Sequence, residues 1–218
     1  IVKKLKFKLP ICILNIGGIS NITLINEMTR SSGLTSRDIG PGNCMIDSWI
    51  RNNSKKKYDQ DGILAAKGKK NDIIFEQAQE LFVNRSNQNI STFDVNDFDV
   101  SFARGLSLED GATTLTDFTA TIIGSALISI SSNLKSKISR VLVCGGGRKN
   151  QVLIKKIKKI TPQNLIIQSI DEYGIDGDHV ESQAFAFLAI RSIRKLPISF
   201  PNTTGCTKPV SGGEIIEY

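Results

Sequence analysis

Residues 37–47, RDIGPGNCMID, place a carboxylate, Asp38, two positions ahead of a Gly-Pro-Gly turn that leads into a run able to open a helix. A carboxylate there has two uses. It can accept backbone hydrogen bonds and shape the turn, or it can take a proton from a nucleophile attacking beside it. Two further glycine turns bear on the choice: NIGGIS, with Gly17 and Gly18, and CGGGRKN, with Gly145, Gly146 and Gly147. Glycine removes the Cβ and lets backbone N–H groups close on a ligand, and two of the three turns precede expected helices, whose N-termini attract anions. None is a Walker loop and none is GxGxxG. Each taken alone reads as a plain structural turn; the set points to a phosphate or nucleotide site.

The other reactive residue types add little. Cys12, Cys44, Cys144 and Cys206 lack CxxC spacing, and the lone histidine, His179, has no partner in view and reads as a surface residue. A zinc site or a disulfide framework is not expected, and a reducing cytoplasm fits. The net charge of +7 resides largely in Lys-rich runs, KKLKFK, KKK at 55–57, KGKK at 67–70 and KKIKK at 155–159, with few aromatics between them. Such runs are solvated faces, so no nucleic-acid partner is expected, only a general attraction for anions such as nucleotides. Apolar stretches such as TIIGSALISI are broken by Ser and Gly and fall short of the roughly 20 residues of a membrane span, so no membrane partner is expected. The opening IVKKLKFKLPICILNI runs straight into NIGGISNITLI without a small-residue cleavage site, which reads as folded strand rather than a leader.

Elements that could position these groups alternate strand and helix. ICILNI and NITLIN read as a hairpin around Gly17-Gly18. DIGPGN reads as a loop, and a helix follows from about Asn43 with Ile46, Trp49 and Ile50 on one face. Asp61-Gly62 marks a turn, a second helix is expected over 71–82, and a loop over 84–99. The longest helix is expected over 108–130, with capping-box spacing at Ser107 and Asp110 and a stripe of Leu115, Phe118, Ile122, Ala126 and Ile130. Val141–Cys144 reads as a buried strand, then the three glycines, then a basic amphipathic helix with Val152, Ile154 and Ile157. NLIIQSI supplies another strand. Asp178 and Glu181 have the spacing of a cap for a last helix, and Pro197 and Pro201 end the helical region. The alternation predicts an α/β layered fold.

LNIGGISNIT, DIGPGNCMIDSWI, YDQDGILAAKG, LSLEDGATTLTDFTA, VLVCGGGRKN and the stretch from GIDGDHVESQAFAF to FPNTTG resemble, in this order, the anhydro-N-acetylmuramic acid kinase family. The resemblance runs from about residue 11 to the C-terminus. It implies an α/β, ribonuclease H-like/actin-like ATPase lobe with a mixed sheet flanked by helices, residues 1–200 forming the second lobe and 201–218 a tail that returns toward a first lobe. The family's opening lobe has no counterpart here, so the chain reads as the C-terminal portion of a longer kinase, inactive alone. The implied activity uses ATP and Mg2+ to open the 1,6-anhydro ring of anhydro-N-acetylmuramic acid by water attack and to phosphorylate oxygen 6. The product is N-acetylmuramic acid 6-phosphate, in cytoplasmic peptidoglycan recycling.

The same resemblance implies roles. Asp38 falls on the general base. Gly17, Gly18, Gly40, Gly42, Asn43, Gly145, Gly146, Gly147 and Asn150 fall on the nucleotide side, and Asn15 and Glu181 on the sugar, with no metal ligand assigned. Glu181 stays open between a sugar contact and a helix cap. A homodimer is implied, with no interface readable. Two departures stand out. Ser91 and Val95 occupy positions where the family carries lysine and arginine, which bind carboxylate or phosphate as serine and valine cannot, and Ile39 replaces a threonine beside Asp38. Two alternatives follow: a kinase for another anhydro-sugar, or a nucleotide-binding relative without catalysis.

Overall fold

The β-branched runs flanking Gly17-Gly18 zip into a hairpin: β1 (Ile11–Ile16) and β2 (Ile19–Ile25) pair antiparallel, Ile11 opposite Ile25 and Ile16 opposite Ser20. The computed structural model describes residues 1–3, 5–28, 33–86, 92–132, 138–214 and 216. The expected DIGPGN loop is mostly strand. β3 (Leu34–Pro41) pairs antiparallel with β2, leaving only Gly42 and Asn43 before helix α1 (Cys44–Asn53). Pro41 is tolerated because β3 is an edge strand, where a missing N–H breaks no ladder bond. β4 (Arg140–Cys144) and β5 (Ile166–Ser169) add parallel to β1, giving the order β3-β2-β1-β4-β5 with β2 alone reversed. A mixed sheet of this order flanked by helices is consistent with the actin-like ATPase lobe expected from the sequence.

Helices α2 (Asp72–Ser86), α3 (Leu108–Ser132) and α4 (Gln151–Ile160) cover one face with α1. Helix α3 is the keystone. Its Ala120, Ile123 and Leu127 bury against Cys12, Leu14 and Ile16 of β1 and Val141 and Val143 of β4, together with Leu153 and Ile157 of α4. Its N-terminal half, through Leu115 and Phe118, joins Met45, Ile46, Trp49 and Ile50 of α1 in a second cluster. By length and composition α3 could cross a bilayer, but the protein buries most of it as a core helix. Ser107 Oγ accepts from the Asp110 N–H at 3.1 Å, whereas the Asp110 carboxylate accepts from Lys69 N–H at 2.7 Å, so only half of the expected capping box forms. Lys156 of α4 reaches Asp117 of α3 at 2.7 Å.

The other face of the sheet carries Ile11, Ile25 and Leu142 under Val2, Phe7 and Leu9. Helix α5 (Val180–Ile193) lies on this side with none of its residues buried, and Phe185, Phe187, Ile190 and Ile193 are exposed. The expected Asp178–Glu181 cap does not form. His179 is the N-cap without a side-chain bond, and Asp178 is drawn away by Arg148 and Lys149, whose full charges outcompete a backbone amide. His179 does have a partner, its Nδ1 2.9 Å from Asp176 Oδ2. Pro201 opens a short helix, α6 (Pro201–Thr204), rather than ending the helical region, since proline's fixed φ suits a first turn. Helix α6 packs on β3, and Val210 returns to bridge Ser199.

Candidate functional site

Successive side chains of a strand alternate faces, so cross-strand partners define rows across the sheet. On the α5 side the rows grade from apolar to polar toward the C-terminal end of β1. Ile11, Ile25 and Leu34 come first, then Ile13, Thr23 and Ser36, then Asn15, Asn21 and Asp38, with Cys144 beside Asn15 on β4. The register shifts between Ser20 and Asn21, which makes Ile39 the extra residue of a bulge. Bulges of this kind re-aim side chains. Here Ile39 turns into the core while Asp38 stays in the row with Asn15 and Asn21. With strands about 4.8 Å apart, Asp38 and Asn15 stand roughly 10 Å apart across the sheet.

Asp38 Oδ2 accepts from the Phe93 N–H at 3.0 Å. Asp38 also lines a cleft of about 380 Å³ with Asn21, Ser36, Arg37, Thr92, helix α6 and Gly205. Asn21 therefore shares both row and cleft with Asp38, a neighbour missed in the sequence because register, not spacing, brings the two together.

The glycine turns meet at the end of β1. Gly42 N–H donates to Gly18 O at 2.9 Å and Asn43 N–H to Gly17 O at 2.8 Å, so the Gly-Pro-Gly turn is bonded directly onto the Gly-Gly turn. A Cβ on Gly42 would collide with the Gly17 carbonyl oxygen, which is why that position must be glycine. Gly145, at φ 79, backs onto Asn15 Oδ1 and the Ile16 carbonyl. Gly146 is open, with Asn43 Nδ2 at 3.8 Å from where a Cβ would sit. Gly40 belongs to the same segment but faces inward, toward Ile122 and Phe82. Val95 lies in the site as well, its methyl group 3.0 Å from a Cβ placed on Gly18, whereas Ser91 falls outside the described residues.

A second cleft, of about 450 Å³, opens between Asn43 and Asp47 on one side, Gly146, Lys149 and Asn150 on another, and Tyr58 to Asp61 opposite. That volume suits a small organic ligand. Asn150 Oδ1 is engaged as the N-cap of α4, accepting from Leu153 N–H at 3.0 Å. Asp47 was not singled out from the sequence, although an acid inside CMIDSWI was the available signal. Burial pushes its carboxyl up to about 6, with Arg51 opposing and Asp59 reinforcing the shift. The Cys144 thiol is likewise pushed up by burial, to about 11, against the opposing Arg148 charge. Thus Asn15 and Asp38 share one row across the sheet, Gly145 packs against Asn15, and Glu181 lies in the first turn of α5 with no contact among the described residues that joins it to either.

The model of the anhydro-N-acetylmuramic acid kinase family matches residues 6–218. Among curated proteins, the chain is 48% identical over 212 residues to the anhydro-N-acetylmuramic acid kinase of Pelagibacter ubique, covering 97% of the chain and 56% of that protein. It is 36% identical to that of Zymomonas mobilis, covering 94% and 54%, and 37% identical to that of Agrobacterium fabrum, covering 96% and 54%. The chain spans about half the length of these relatives. It belongs to the anhydro-N-acetylmuramic acid kinase family.

Proposed function

We propose that this chain supplies the general base and one wall of the nucleotide site of an ATP-dependent kinase acting on anhydro-N-acetylmuramic acid. The carrying observation is the hydrogen-bonded docking of the Gly-Pro-Gly turn onto the Gly17-Gly18 turn, with Gly146 open above it, beside a cleft that holds Asp38. Family membership supports the substrate and the use of ATP.

In this mechanism Asp38, oriented by the Phe93 N–H, accepts the proton of a water attacking the anomeric carbon. Such a base contributes about 10²–10⁴-fold. The ring-opened oxygen 6 then meets the γ-phosphate in line, a transfer that depends on positioning and charge stabilisation. Asn15 and Glu181 hold the sugar. Gly17, Gly18 and Gly145 to Gly147 bring backbone near the nucleotide, with Asn43, Lys149 and Asn150 lining its cleft. Gly40 and Gly42 serve by packing that fixes the turns. Magnesium would supply charge neutralisation of the nucleotide's phosphates. Asp47 would offer a carboxylate oxygen from the nucleotide cleft, and no group of three His, Cys, Asp or Glu gathers to hold a metal among the described residues. The unmatched part of the relatives' length would furnish the other wall, the tail from residue 201 would lie toward it, and the chain alone would be inactive.

The test is to express the complete reading frame and follow ATP-dependent phosphorylation of anhydro-N-acetylmuramic acid. Asp38→Asn is expected to lower kcat by roughly 10²-fold or more; normal turnover would sink the assignment. A second reading, a different anhydro-sugar, draws on Val95 beside Gly18, where a cation could have bound a carboxylate or phosphate. Faster turnover on a sugar lacking the lactyl group would favour it.

A further inference from the structure

Arg148 follows the three glycines, and its side chain is only 5% exposed. A buried guanidinium is tolerated when its donors are all met by charge and hydrogen bonds. Here Nε and Nη2 grip the two oxygens of Asp171 as a fork, at 2.6 and 3.2 Å, while Nη1 donates to the Gly145 carbonyl at 3.0 Å and to Asp178. The arrangement closes on itself. Asp171 Oδ1 also accepts from Gly177 N–H at 2.8 Å, and the Gly177 carbonyl accepts from Gly145 N–H at 3.0 Å. Gly177 packs flat on the guanidinium, where any Cβ would overlap it. The Arg148 charge holds the Asp171 carboxyl well below the usual carboxylate range and Asp178 down at about 2.

The geometry points to Arg148 as a positioning residue that locks the Gly145–Gly147 turn to the 171–178 loop, so that the nucleotide side and the Glu181 end of α5 move as one unit. Arg148 itself lines neither cleft; it acts through the Gly145 carbonyl and through the loop that leads into α5. The inference rests on the glycine turns binding nucleotide. Lysine in its place keeps a charge but cannot span the Asp171 fork and the Gly145 carbonyl together.

The experiment uses protein from the complete reading frame and compares wild type, Arg148→Lys and Asp178→Asn by ATP binding, steady-state kinetics and amide hydrogen exchange. Wild type is expected to show slower exchange at both 145–148 and 171–181 when ATP is added. Arg148→Lys is expected to raise the KM for ATP about tenfold or more with kcat held within about threefold, and to lose the protection at 171–181. Asp178 is partly exposed, so Asp178→Asn should fold even if Arg148→Lys does not, and is expected to raise KM by about threefold with weakened protection at 171–181. Unchanged ATP affinity and unchanged paired protection in the variant that folds would overturn the coupling alone. Failure of wild type to bind ATP would overturn both the coupling and the nucleotide site.

Discussion

Asp47 gives a prediction whose size and sign both follow from the structure. Its carboxyl is pushed from 3.8 to about 6, first by burial and then by the neighbouring Asp59 charge, against the opposing pull of Arg51. At about 1.36 kcal/mol per pH unit, that gap corresponds to at most about 3 kcal/mol of destabilisation once the group is ionised. Partial solvent access lowers this to roughly 1–2 kcal/mol. The folded state holds the proton more tightly than the unfolded chain, so stability is greatest below about pH 4, falls as pH rises toward about 6, and is flat above. Asp47→Asn mimics the neutral form at every pH. It is expected to match wild type at pH 4 and to exceed it at pH 7.5 by roughly 2–8 °C in Tm, on the scale of a chain this size. Thermal melts of both proteins across pH 4–8 check this. A variant no more stable than wild type at pH 7.5, or a gain that stays the same at pH 4, would refute the reasoning.

Three other outcomes follow from the same packing. Asp38→Asn keeps an amide oxygen to accept from the Phe93 N–H, so it should cost only the difference between a charged and a neutral acceptor, about 1–1.5 kcal/mol; a loss of activity far larger than that small fall in stability separates a base from a turn-shaping residue. Gly42→Ala drives a methyl into the Gly17 carbonyl and should destabilise by about 1–3 kcal/mol by overpacking while weakening ATP binding; a neutral effect on both would contradict the docked turns. Ile157→Ala removes a fully buried side chain between α4 and the sheet and should lower stability by about 2–5 kcal/mol in denaturant titration, with nucleotide affinity unchanged in the folded fraction.

Local pattern carried most of the architecture. The hairpin around Gly17-Gly18, the helix after Asn43, the long helix over 108–132 and the strand at Val141–Cys144 were legible because period and turn chemistry are properties of a few consecutive residues. What escaped depended on partners far along the chain. The Asp178–Glu181 spacing is that of a cap, yet Arg148, 30 residues earlier, captures Asp178. The DIGPGN stretch reads as a loop until β2 is beside it, and the alignment of Asn15, Asn21 and Asp38 exists only in the ladder. Asp47 was hidden for a related reason, since its burial arises from packing around α1 and the Asp59 charge that adds to its shift lies on the opposite side of the cleft.

The bulge at Ile39 ties these points together. Asp38 and Asp47 belong to one short segment, RDIGPGNCMID, yet they line different clefts. The strand delivers Asp38 to the α5 side of the sheet; the turn then crosses the end of β1, bonded to the carbonyls of Gly17 and Gly18, and α1 carries Asp47 into the cleft beneath Gly146. A shift of the Gly-Pro-Gly turn therefore cannot leave either carboxylate where it was. On the proposed function, that makes the turn the mechanical link between the proton acceptor and the nucleotide.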